Sequence, residues 1–233
     1  MHIVITGASK GLGRAIALAF ARKGQHHFYC CARNLNALEA LKADLVAINP
    51  AHVVHVFAVD MANEIAVKHF AHACLAIATP DIIVNNAGQF IPGNVHNEAE
   101  GALRQMLDVN LMSAYYLTRK LLPAMMQQQS GHIFNICSIA SLAAYTGGGA
   151  YSISKFALAG FSQNLRAELK EYGIKVTAVY PGAAYTDSWI GSGVSEERIM
   201  EANDIAAMVT AAASLSPQAC VESILLQPQL GPL

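Results

Sequence analysis

The chain has 233 residues, is 54% hydrophobic and 13% charged, and carries a formal net charge of −1 at pH 7. That length and apolar content fit one α/β domain over residues 1–233 with a large core, and so little charge points to surface hidden in an oligomer. The near-neutral balance gives no footprint for nucleic acid or a membrane surface, and the longest alanine-rich stretch, 205–215, is too short for a span and is broken by Thr210 and Ser214.

Residues 1–6 already form a strand pattern running into a glycine loop, so no signal peptide is expected and a cytoplasmic protein is inferred. Short runs dense in Val, Ile and Phe recur at 2–6, 27–32, 53–59, 82–85, 132–136, 175–179 and 223–226. They are apolar on both faces, as buried parallel strands are. Helical patterns separate them at 12–23, 35–48, 64–78, 98–126, 151–172 and 204–214. Alternating β and α implies a doubly wound parallel sheet of about seven strands with helices on both faces, a single-domain Rossmann-like fold. Residues 186–203, rich in Ser, Gly and Glu, read as a substrate lid.

The first loop, Thr6-Gly7-Ala8-Ser9-Lys10-Gly11-Leu12-Gly13, joins strand to amphipathic helix. Its glycines let the backbone turn and let a pyrophosphate approach the helix N-terminus, with Gly7, Ser9, Lys10, Gly11, Leu12 and Gly13 as the expected contacts. The second strand ends in Ala32-Arg33-Asn34, with no acidic residue to take a ribose 2′-hydroxyl. Arg33 and Lys10 instead suit a 2′-phosphate, which favours NADP over NAD. Asp60, with Met61, closes the third strand; it either accepts from an adenine amino group or caps the next helix. In Asn85-Asn86-Ala87-Gly88, Asn85 reads as a structural tie, while Asn86, Ala87 and Gly88 allow close approach of an adenine ribose. Asn110 interrupts a long helical pattern with a poor mid-helix residue. A kink there, with its side chain holding a water, is the functional reading.

Ser138 ends the fifth strand at the carboxyl edge where ligands sit in such sheets. Ser141 is the rival hydroxyl, but the thirteen-residue interval to Tyr151 favours Ser138. Neighbouring Cys137 is expected to face away, as strand neighbours do. Tyr151 and Lys155 stand at i and i+4 on one helix face. The ammonium favours ionisation of the phenol, and lowering a tyrosine pKa by about three units takes roughly 4 kcal/mol. Pro181-Gly182 and Thr186 form a turn that either faces a nicotinamide or simply reverses the chain. Neither the nine histidines nor the five cysteines show metal-ligand spacing. No metal is expected, and the cysteines read as small buried hydrophobes in a reducing compartment.

Taken together, Thr6-Gly7-x-x-x-Gly11-x-Gly13, Asp60, Asn85-Asn86-Ala87-Gly88, Asn110, Ser138, Tyr151-x-x-x-Lys155, Pro181-Gly182 and Thr186 resemble the classical short-chain dehydrogenases/reductases, in order and spacing, from residue 1 to residue 227. The resemblance implies that Tyr151 exchanges a proton with the substrate oxygen and that Ser138 polarises that oxygen. It implies that Lys155 lowers the tyrosine pKa and binds the nicotinamide ribose, and that Asn110 holds a water feeding Lys155. It also implies a homodimer or homotetramer paired through the long helices. Lys10 and Arg33 resemble the NADP-preferring members, which work as reductases of a ketone or aldehyde. Phe90, Ile91, Ala140, Leu142, Tyr145, Tyr185 and Trp189 are expected to line the substrate pocket; with no cation among them, the substrate is read as a small uncharged carbonyl compound. Two other readings are an NAD-linked alcohol dehydrogenase working in oxidation and a non-catalytic dinucleotide sensor.

Overall fold

The structure is a computed structural model that describes residues 1–186 and 193–233. Seven strands form one sheet: β1 (His2–Thr6), β2 (His27–Ala32), β3 (Val53–Ala58), β4 (Ile82–Asn85), β5 (Gly131–Ile136), β6 (Ile174–Pro181) and β9 (Ser223–Leu226). Their order is β3-β2-β1-β4-β5-β6-β9, and every pairing is parallel. The order reverses between β1 and β4, and the crevice at that reversal is where ligands bind in open α/β sheets. Two further strands, β7 (Ala184–Tyr185) and β8 (Met200–Glu201), pair separately. They are too short to leave a periodic signature.

Alternation along each strand divides the core in two. Ile3, Ile5, Phe28 and Cys30 pack on one face with Ile16, Phe20, Leu38, Ile205 and Val209, which come from α1 (Gly11–Ala21), α2 (Leu35–Ile48) and α7 (Ala202–Ala213). Val4, Tyr29 and Cys31 face the other way, onto Val67, Phe70, Leu117, Leu121 and Leu165. Those residues belong to α3 (Glu64–Leu75), α5 (Ser113–Gln128) and α6 (Gly149–Leu169). Capping sets the starts of two helices: Asn34 accepts from the Ala37 amide and Asn63 from the Ala66 amide, each at 3.0 Å. Asp60 therefore does not cap α3; it accepts from the Ala62 amide at 3.0 Å in a tight turn instead.

The helix expected over 98–126 is not continuous. It starts only after Gly101, whose φ of 85° is left-handed, and runs as α4 (Ala102–Leu107), a π turn (Asp108–Met112) and α5. Glu98 does not begin it. The Glu98 carboxylate accepts the Ala150 amide at 2.9 Å, satisfying an otherwise orphan N–H at the start of α6. Among the described residues no helix is long and apolar enough to cross a membrane.

Candidate active site

The glycine loop lies at the crevice between β1 and β4, and its geometry explains its sequence. Gly7 and Gly11 have φ of 63° and 53°, left-handed values that favour glycine. A β-carbon on Gly13 would stand 2.4 Å from the Gly7 carbonyl oxygen and 2.5 Å from Asn86 Nδ2, so no other residue fits unshifted. Lys10 occupies the position before α1, where no side-chain cap bond forms. The first N–H groups of α1 thus meet the loop uncapped by a side chain, as an anion-binding helix start requires.

Thr6 and Asn86 hold this loop against the end of β4. Thr6 Oγ1 accepts from the Asn86 and Ala87 amides at 3.0 and 2.9 Å. Asn86 Nδ2 donates back to the Thr6 and Gly7 carbonyls at 2.9 and 3.1 Å. By pattern Thr6 merely ends a strand; the signal for its further role is a hydroxyl in an otherwise apolar buried run. Arg33 is exposed just past β2, as are Lys10 and Asp60. Met61 differs from the expectation: it is buried and its sulfur receives the Cys31 thiol at 3.7 Å, so its side chain belongs to the core and not to an adenine-facing surface. On the far side of the loop, a β-carbon on Gly11 would come within 3.5 Å of the Thr186 side chain. Pro181 ends β6 opposite Leu226, and the Gly182 amide donates to the Leu226 carbonyl at 2.8 Å. These residues form a cradle that fits a dinucleotide: left-handed glycines, a gap where a β-carbon would sit, an open helix start and two exposed cations.

Ser138, Tyr151 and Lys155 converge beyond β5. Ser138 precedes a single 3₁₀ turn, Ile139–Ser141. Its Oγ accepts the Ala140 amide at 3.1 Å, and its own amide donates to Ser141 Oγ at 3.2 Å. Ser141 is therefore occupied in holding Ser138, while Ala140, expected in the substrate pocket, is buried, with 1% of its surface exposed. Cys137 faces away into a cluster with Leu158 and Tyr180, and burial raises its thiol pKa.

Lys155 is buried, and its Nζ donates to the Ile136 carbonyl at 2.8 Å. It lies 5.8 Å from the centre of the Tyr151 ring. Burial lowers its pKa to about 8. The expected acidified phenol is not what the chain's own groups produce: burial raises the Tyr151 pKa, and a hydrogen bond with the Ser138 side chain offsets part of that rise. Desolvation outweighs the nearby charge: the ammonium is directed at the Ile136 carbonyl, while the phenol is packed against Phe90 and Ile91. Tyr151 therefore carries its proton near neutral pH, as an ordinary phenol does.

Asn110 sits in the π turn, as the helix-breaking residue predicts, but its amide is committed to the chain. Oδ1 accepts the Gln89 amide at 2.7 Å; Nδ2 donates to the Gln89 carbonyl at 3.0 Å and to Ser154 Oγ at 2.9 Å. Both hydrogens of that amide are used within the chain, so a water held by this side chain would donate to the second lone pair of Oδ1. Asn85 is the tie it was read as, donating to Thr118 and Asn135 at 2.9 and 2.8 Å. Phe90 meets the Tyr151 ring edge-on at 5.1 Å, and Phe90, Leu142 and Tyr145 are exposed around it. Tyr185 lies in β7 and hydrogen-bonds Glu196. Trp189 lies outside the described residues.

A parallel sheet with a glycine cradle at its reversal point, and a partly buried Tyr151 with a buried Lys155 beside a held hydroxyl, defines a dinucleotide-binding oxidoreductase of Rossmann type. The sequence matches the short chain dehydrogenase family over residues 1–195, and the chain belongs to that family. It is 32% identical to a sepiapterin reductase of Chlorobaculum tepidum, covering 98% of this chain and 96% of that one. It superposes on the alcohol dehydrogenase of the archaeon Thermococcus sibiricus, solved with 5-hydroxy-NADP, with a TM-score of 0.89 at 25% identity, covering 98% and 96% of the two chains. A metagenomic short-chain oxidoreductase in complex with NADP gives 0.85 at 30% identity, covering 98% and 97%.

Proposed function

We propose that the protein is an NADP(H)-dependent oxidoreductase that reduces a ketone or aldehyde to an alcohol. The observation that carries this reading is the meeting of a partly buried Tyr151 with Ser138 and a buried Lys155 at the carboxyl edge of β5. The bound nicotinamide supplies the hydride. Tyr151 gives its proton to the carbonyl oxygen as charge develops there. The Ser138 hydroxyl hydrogen, which the Ala140 amide does not need, turns from the Tyr151 oxygen to donate to the same substrate oxygen. Lys155 places a positive charge behind the phenol and stabilises the phenolate that remains. Gly88, Lys155 and the Pro181–Gly182 turn would hold the nicotinamide half, and the Gly7–Gly13 cradle the pyrophosphate.

NADP is supported by the exposed Lys10 and Arg33 beside that cradle, by the absence of an acid at 32–34, and by the NADP named in the solved relatives. The exposed Phe90, Leu142 and Tyr145 favour an uncharged, apolar carbonyl substrate. Homo-oligomer formation is supported by Ile153 and Phe156 on the outer face of α6, which with Val95 and Tyr145 line a groove of about 450 Å³. A panel of ketones and aldehydes followed by loss of NADPH absorbance tests the reading. Turnover of at least one member, abolished by Tyr151→Phe, is expected; undiminished turnover by that variant refutes the assignment.

A further inference from the structure

The amide of Asn110 makes three hydrogen bonds, and the third ends on a residue that the catalytic reading does not use. Ser154 is fully buried and stands one residue before Lys155. Its Oγ donates to the Tyr151 carbonyl at 2.7 Å and accepts from Asn110 Nδ2 at 2.9 Å. We propose that Ser154 is a positioning residue: its hydroxyl fixes which way the Asn110 amide points, and so ties the Gly88–Gln89 segment to the turn of α6 that carries Tyr151 and Lys155.

The argument is one of donor and acceptor matching. With its own proton committed to Tyr151, Ser154 presents only lone pairs to Asn110. Those lone pairs accept an amide N–H and repel an amide oxygen; together with the Gln89 carbonyl, which takes the other N–H at 3.0 Å, they keep Oδ1 on the Gln89 backbone N–H at 2.7 Å. Flipping the amide would set oxygen against oxygen at Ser154 and at the Gln89 carbonyl, and N–H against N–H at the Gln89 amide. The stake is the neighbourhood of Lys155. The point where a β-carbon of Gly88 would sit is 3.3 Å from Asn110 Oδ1 and 3.6 Å from Lys155 Nζ. Asn110 Oδ1 and Lys155 Nζ thus border the same glycine, and an Asn110 released from Ser154 has one fewer bond holding its oxygen away from the ammonium. The ionisable groups facing that ammonium are Tyr151 on its own helix and Cys137 beyond β5. An added amide oxygen would stabilise its charged form and raise its pKa.

This inference rests on the assignment of Tyr151 and Lys155 above, but its first two readouts need neither cofactor nor substrate. Ser154→Ala and Ser154→Thr are compared with the unaltered protein. In Ser154→Ala, hydrogen exchange of the Gln89 amide is expected to accelerate by about tenfold with the rest of the sheet still protected. The Lys155 titration, read by NMR of 13C-labelled lysine, moves upward by about half a pH unit or more. With NADPH and an accepted carbonyl compound, kcat falls by about tenfold while KM for NADPH changes little. Ser154→Thr, which keeps the hydroxyl, restores all three. Should threonine not fit, Asn110→Ala/Ser154→Ala is expected to be no more impaired than Asn110→Ala alone. An unchanged Gln89 exchange rate and Lys155 titration in Ser154→Ala overturns the inference, as does uniformly faster exchange across the chain, which is mere destabilisation. Failure of the reductase reading shows itself separately, as an unaltered protein that turns over no carbonyl compound.

Discussion

His26 offers a direct test of how burial couples stability to pH. It lies just before β2, is 4% exposed, and neither ring nitrogen has a well-formed hydrogen-bond partner among the described residues. Phe20 and Phe28 meet the ring edge-on at 6.4 and 5.9 Å, and His52 stacks on it at 6.0 Å. Burial lowers its pKa to about 4, with the N-terminal amine and His52 adding to the effect and the Phe20 carbonyl offsetting a little. The unfolded chain takes up this proton near pH 6.5, the folded chain only near 4. Stability from the neutral ring is thus complete above about 6.5 and is lost as pH falls toward 4. At about 1.4 kcal/mol per pH unit the loss reaches about 3 kcal/mol. His26→Phe keeps an aromatic ring in the same cage and removes the titration. Urea unfolding at pH 7.5 and 4.5 should show the variant losing about 2–3 kcal/mol less than the parent between the two values; carboxylate titrations are common to both and cancel. Parallel losses in the two proteins would refute the argument.

Gly13→Ala forces a β-carbon against the Gly7 carbonyl and Asn86; with overpacking costing about 1–3 kcal/mol, NADPH affinity should weaken by about tenfold or more in a fluorescence titration. Arg33→Asp removes an exposed cation from the end of β2 and should move the ratio of NADP to NAD affinity toward NAD by at least about tenfold; an unmoved ratio marks Arg33 as an ordinary surface charge. Because burial lowers Lys155 to about 8, its ammonium is present below that pH and lost above it. The kcat/KM for reduction should therefore fall as pH rises through about 8, and a profile flat to pH 10 would separate Lys155 from the reaction.

Much of the fold was legible because buried parallel strands leave continuous apolar runs and their helices leave amphipathic ones. Strands 2–6, 27–32, 82–85 and 223–226 and helix 35–48 agree with the structure residue for residue. The site's outline was legible for a different reason: left-handed glycines and an i, i+4 Tyr–Lys pair are demands that few residues meet. What sequence did not disclose was mutual satisfaction of polar groups across the fold. Glu98 reads as a helix residue by pattern, yet it serves the start of α6 from far along the chain. Thr6, Asn86 and Ser154 gain their roles only once β1, β4 and α6 are brought side by side. The Tyr151 pKa depends on depth of burial and on where one ammonium points, and neither leaves a trace in spacing.

The π turn at Asp108–Met112 has one more effect. On an unbroken α-helix Met106 and Leu117 would lie within about 20° of each other and compete for one neighbour. The extra residue in that turn swings the downstream half by about 100°. Met106 therefore nestles with Ala150 at the head of α6, while Leu117 looks onto the sheet beside α3. A single amphipathic stripe in the amino-acid string is thereby made to serve two separate apolar layers, with Asn110 standing at the joint between them.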